Sequence, residues 1–103
     1  MSPFLLLNPA DNVLVARASA PEGTPVALEG GEVTLARLIP LAHKIARHDI
    51  AEGARVLKYG MPIGIATRAI AAGEHVHVHN IRSAYTATHA LQDADGTGAL
   101  VSQ

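Results

Sequence analysis

Residues 13–26 read VLVARASAPEGTPV, residues 43–56 read HKIARHDIAEGARV and residues 63–76 read IGIATRAIAAGEHV, and the three align without gaps. They share an apolar Val15, Ile45 or Ile65, then Ala16, Ala46 and Ala66, then Gly23, Gly53 and Gly73, and then Val26, Val56 and Val76. An apolar stretch, a glycine and a second apolar stretch predict strand, tight turn, strand in each copy. Ser19 with Glu22, and Asp49 with Glu52, have the cap-x-x-acid spacing of a helix start, so a single helical turn is expected inside the unit. The glycine that follows falls where such a turn reverses through a left-handed conformation, which disfavours any residue with a Cβ. In the third copy Ala69 and Ala72 replace the capping pair, and Ile70 packing inward must carry the turn instead. The fold class expected is therefore mostly β, a small single domain of short strands with short one-turn helices.

Working outward, Gly30 and Gly31 separate two short strand candidates and mark a hairpin. Tyr59, Gly60, Met61 and Pro62 make the next reversal, with Pro62 opening a strand where a missing N–H is tolerated. Residues 36–41 carry Leu38, Ile39 and Leu41 at helix-like spacing, but Pro40 interrupts them, and a loop entering a strand is expected there. From Ala84 onward threonines, aspartates and glycines dilute the apolar pattern. Residues 1–84 are read as the folded domain and residues 85–103 as a flexible C-terminal tail.

The chain has 103 residues, 49% of them hydrophobic and 17% charged, enough for one core and too few for two independent domains. It contains no cysteine, which removes disulfides, thiolate metal sites and thiol nucleophiles together. Eight Lys and Arg against nine Asp and Glu give a formal charge of -1, the basic residues are scattered, and only Phe4, Tyr59 and Tyr85 are aromatic, which argues against a nucleic-acid partner. The apolar run at residues 4–7 is too short for a signal peptide, and no stretch reaches the roughly 20 apolar residues of a membrane helix. A cytoplasmic location without membrane partners is the default expectation.

Residues 74–80, EHVHVHN, alternate strictly, which on a strand puts His75, His77 and His79 on one face and Val76 and Val78 on the other. Positions two apart on a strand are separated by about 7 Å, so neighbouring histidines can converge on one metal and the outer two cannot. His77 and His79 are the metal candidates, and a full site needs a third ligand from another strand, such as His43 or His48. A half-exposed polar strand face and a place beside an active site are the alternatives. His43 replaces Val13 and Ile63 of the other copies, so it points with Ile45 toward a covered face, either as a core histidine bonded to a carbonyl or as a functional group. Lys44 faces the other way. Lys44 and Lys58 are the only lysines, and Arg68 and Arg82 are available to a carboxylated ligand. There is no phosphate loop, nucleophile elbow or His-Glu zinc helix.

The string HKIARHDIAEGARVLKYGMPIGIATRAIAAGEHVHVHN, residues 43–80, resembles the small SAF-type (UxaA-like) domain of the altronate and galactarate dehydratase family, and residues 8–26 resemble it more loosely. His43-Lys44, Lys58-Tyr59-Gly60, Ile63-Gly64, Ala66, Gly73 and His77-x-His79-Asn80 follow the family's order and spacing. The resemblance implies a β-clip fold and a much larger catalytic part that dehydrates sugar acids with a divalent metal, often iron. Because the chain ends at Gln103, it is expected to be a separate small accessory subunit, with no metal or other cofactor of its own. On that reading His43 and Lys44 are the candidate catalytic groups. His75, His77, His79, Asn80, Tyr59 and Arg68 are candidates for binding the carboxylated substrate at the large subunit's pocket. A free-standing sugar-acid or carbohydrate-binding module, and the small subunit of a sulfolactate sulfo-lyase, are the alternatives; a homo-oligomer is compatible with each.

Overall fold

Each repeat is held by a four-residue turn whose third position has a positive φ. In the computed structural model, which describes residues 2–83, the turn amides of Thr24, Ala54 and Glu74 donate to the carbonyls of Pro21, Ala51 and Ala71 at 3.2, 3.0 and 2.9 Å. Gly23, Gly53 and Gly73 occupy the third position with φ of 88, 83 and 84°. That conformation is open to glycine and costs a residue with a Cβ about 1 kcal/mol or more. The same turn occurs a fourth time. His43 N–H donates to the Pro40 carbonyl at 3.0 Å, and Ala42 takes the positive φ, 70°. Residues 36–41, expected to be a connecting loop, thus belong to a fourth copy, with Ile39 at the place of Ala20, Ile50 and Ile70. Two substitutions hid it from sequence comparison: alanine stands where the other copies have glycine, and Leu35 stands where they have Ala16, Ala46 and Ala66.

No helix is present among the described residues, so the expected one-turn helices are corrected to turns. The reason is that the inner polar groups bond between units. The units pair two by two through bridges: Ala20 and Ile39 exchange bonds of 2.9 and 2.8 Å, and Ile50 and Ile70 exchange two of 2.8 Å. Asp49, expected to cap its own turn, accepts instead from Ala72 N–H in the partner unit at 2.9 Å.

Nine short strands connect these turns. They are β1 (Phe4–Leu5), β2 (Val13–Ala16), β3 (Pro25–Leu28), β4 (Gly31–Thr34), β5 (Lys44–Ala46), β6 (Arg55–Lys58), β7 (Met61–Ala66), β8 (His75–Val76) and β9 (Ile81–Arg82). β3 and β4 form the hairpin expected at Gly30-Gly31. β6 and β7 form the one at Tyr59-Gly60, and β9 pairs with β7. The central sheet runs β1-β2-β5-β8, antiparallel throughout.

Alternation along that sheet separates two cores. Phe4, Ala16 and Ile45 join Ala20, Val26, Leu35 and Ile39 on one face. Val13, Ala46 and Val76 join Ile50, Val56, Ala66 and Ile70 on the other. Each core is therefore built from one pair of units, and the sheet is the wall they share. The lead into β2 clamps the second half: the buried Asp11 carboxylate accepts from Tyr59 and Gly60 N–H at 2.9 and 2.7 Å, and Asn12 accepts from Leu57 N–H at 2.8 Å. The expected tail, residues 85–103, lies outside the described residues.

Candidate functional site

The shared sheet positions the histidines. Ile45 is directly opposite His75 in the β5–β8 register, and the His43 carbonyl accepts from Ala16 N–H at 2.8 Å, so His43, Ile45 and His75 lie on the face of the first core. Lys44 lies on the opposite face, as alternation along β5 requires. His43 Nδ1 and His75 Nε2 approach to 3.0 Å, one necessarily donating to the other. The rings stack: His43 is 5.2 Å from His75 and 4.6 Å from His77 between centroids, and His75 is 5.4 Å from both His77 and His79.

The expected strand through residues 74–80 is corrected, because only His75–Val76 pairs as strand. The chain then turns at residues 77–80, with Asn80 and Ile81 N–H both donating to the His77 carbonyl at 3.1 Å. Asn80 causes this. Its amide is fully buried, donates to the His75 carbonyl at 2.8 Å and accepts from His77 N–H at 3.0 Å. The Asn80 side chain is thereby committed to the backbone that carries the histidines, and it positions them. Val78, expected on the same strand face as Val76, is 79% exposed at the turn while Val76 is fully buried.

The environment keeps the inner imidazoles uncharged near neutrality. Burial pushes His75 down to about 4, with the charges of Arg37, His43, His77 and His79 acting in the same direction. Desolvation and the charges of His77, Lys44 and Arg37 lower His43. Lys44 is half-buried, and burial, with Lys58 second, lowers it. One nitrogen is left over: His75 Nδ1 is buried and has no hydrogen-bond partner among the described residues.

The remaining sequence candidates sit elsewhere. Arg68 is exposed and pairs with Glu74 at 3.2 Å. Tyr59 is 64% exposed at the tip of the β6–β7 hairpin, held by its backbone. His48 is exposed, with its Nδ1 at 3.0 Å from the Asp49 carbonyl oxygen. The structure adds Arg37, whose charge reaches both His43 and His75. Arg37 holds the same place in its unit that Arg68 holds in another, a signal that becomes legible only once the fourth copy is seen. His43, His75 and His77 each offer a ring nitrogen, all within 4.8 Å of one another, so these are the residues that fit a divalent ion. They include His77 of the expected metal pair and leave out His79.

Residues 2–84 match the family model of the altronate/galactarate dehydratase SAF domain. The chain belongs to that family. It is 49% identical over 80 residues to an altronate dehydratase of Escherichia coli (strain K12), covering 78% of this chain and 16% of the relative. It is 37% identical over 83 residues to an altronate dehydratase of Bacillus subtilis (strain 168), covering 81% of this chain and 17% of the relative. A third relative is the (2R)-sulfolactate sulfo-lyase subunit alpha of Chromohalobacter salexigens, 49% identical over 45 residues, covering 44% of this chain and 48% of that subunit. The SAF domain of this chain thus spans about one-sixth of the two altronate dehydratases. No helix among the described residues is long and apolar enough to cross a membrane.

Proposed function

We propose that this SAF domain acts as a small accessory subunit of a sugar-acid dehydratase, presenting the His43, His75 and His77 face to the pocket of a separate, larger catalytic subunit. One observation carries the reading: three imidazoles from two separate segments of the chain gather in one cluster, and a buried asparagine holds the turn that carries His77. Among the described residues His75 Nδ1 is buried without a partner, a cost of about 1–3 kcal/mol that a purely structural role does not account for.

Dehydration of a hydroxy acid removes a weakly acidic proton beside a carboxylate, places negative charge on the carboxylate side and expels hydroxide. A divalent metal, when bound, stabilises that negative charge. In this chain Arg37 supplies a fixed positive charge for a carboxylate near the histidines. His43, half-buried and held neutral, can accept a proton or a hydrogen bond from a substrate hydroxyl. The cytoplasm is the compartment such an assembly would occupy.

The match to a sulfo-lyase subunit alpha favours a second reading, in which the same face serves a sulfo-acid and sulfite leaves in place of water. One experiment addresses both. The complex is isolated from its native source, this chain is stripped from it and added back, and release of water from altronate or galactarate is compared with release of sulfite from sulfolactate. Activity that falls on stripping and returns on add-back is expected for one substrate class. Equal rates with and without the chain overturn the accessory role, and micromolar binding of a sugar acid to the chain alone replaces it with a free-standing binding module.

A further inference from the structure

We infer that His43, His75 and His77 form a binding site within this chain for one divalent first-row cation of the kind that prefers imidazole. The observations behind it stand apart from the dehydratase reading. The three ligand nitrogens lie within 4.8 Å of one another. The separation of 3.0 Å between His43 Nδ1 and His75 Nε2 is what two nitrogens take when each is about 2.1 Å from one ion and they meet it at a right angle. Small side-chain rotations then suffice to bring in His77, whose ring centroid is 4.6 Å from that of His43. The carriers are already rigid. His43 leads into β5 and His75 opens β8 in a hydrogen-bonded pair, and Asn80 locks the turn that carries His77.

An ion at this place would replace the single bond between His43 Nδ1 and His75 Nε2 with one bond to each nitrogen. Imidazole suits zinc, iron, nickel and copper better than the hard cations that take oxygen ligands. Three protein nitrogens leave coordination positions open, the pattern of reactive sites and not of closed structural ones. Arg37 opposes the ion's charge and at the same time favours an anionic co-ligand at the open positions, which is how a carboxylate would complete the site.

The test uses the full chain, stripped with a chelator and titrated with Zn2+ by calorimetry and with Co2+ by visible absorption. One ion per chain at micromolar affinity is expected, with His77→Ala weakening it about tenfold or more and His48→Ala leaving it unchanged. His77 is half-buried at a turn, so that variant should retain the fold. In parallel, nitrogen NMR of the unsubstituted chain reads the ring nitrogens directly, and Zn2+ should shift those of His43, His75 and His77 and spare those of His48. Substoichiometric binding, equal affinity in His77→Ala, or shifts confined to other histidines would overturn the site and leave the cluster a hydrogen-bonded stack.

Discussion

The two halves of this domain are built from the same turn, yet they differ at a few positions, and His43 and His75 stand at two of them. Around the first core, Ala20 and Ile39 bridge the paired units; around the second, Ile50 and Ile70 do so with the same pair of bonds. Both turns of the second half carry glycine at the positive-φ position, whereas one turn of the first half carries Ala42. Directly after that strained residue comes His43, where the other units have Thr24, Ala54 and Glu74. One position later in the unit, His75 replaces Pro25, Lys44 and Arg55. The scaffold constrains the bridge residue, the turn residue and the buried valine or isoleucine, and leaves the strand entry free.

The equivalence of the halves can be broken most directly at the bridges. Ile39→Ala and Ile70→Ala each remove a side chain that is 1% exposed, and each should cost about 3 kcal/mol in urea unfolding. Costs that differ by more than about 1.5 kcal/mol would show that one core dominates and the symmetry is only geometric.

The histidine face gives the next effect, through pH. An unfolded histidine titrates near 6.5 and folded His75 near 4, so between those values the unfolded state binds more protons. Stability is therefore complete above pH 6.5 and falls as the pH is lowered toward 4, by about 3 kcal/mol, with His43 adding in the same direction. Thermal melts in the presence of a chelator measure it, and a flat profile across that window would place His75 in water.

The turns distinguish the two units of the second half. Gly53→Ala meets open space and should cost only the backbone term, about 1 kcal/mol. Gly73→Ala would bring a Cβ to 2.5 Å from Val33 Cγ2 as well, and should cost about 2 kcal/mol by the same measurement. Equal costs would mean that the β3–β4 hairpin yields freely. The smallest effect has the opposite sign: Ala42→Gly should stabilise by about 0.5 kcal/mol, because relief of the positive φ is partly offset by a looser unfolded chain.

Much of this was legible in the sequence because a repeated unit states its constraints several times. Three turns, both hairpins and the opposite facing of His43 and Lys44 followed from the aligned copies and from strand alternation. The fourth unit was not, since Ala42 and Leu35 erase two of its marks and Pro40 reads as an interruption. The one-turn helices failed for a related reason: Asp49 has the spacing of a local cap, but a partner unit's amide is the acceptor's actual use. The histidine strand was read from alternation alone, and alternation is silent on Asn80, whose buried amide ends the strand and bends the chain.

Local sequence thus determined where this chain turns, which side chains it buries and that its imidazoles crowd into one segment. These are consequences of backbone conformation and apolar pattern, which act within a few residues. Only the tertiary structure decided that the units pair, that one sheet serves as the wall of two cores, and that His43 meets His75 and His77 beside Arg37. The bridges join residues about twenty positions apart and the histidine contacts residues more than thirty apart, the latter because antiparallel pairing of β5 with β8 aligns two strands whose sequences carry no mark of each other.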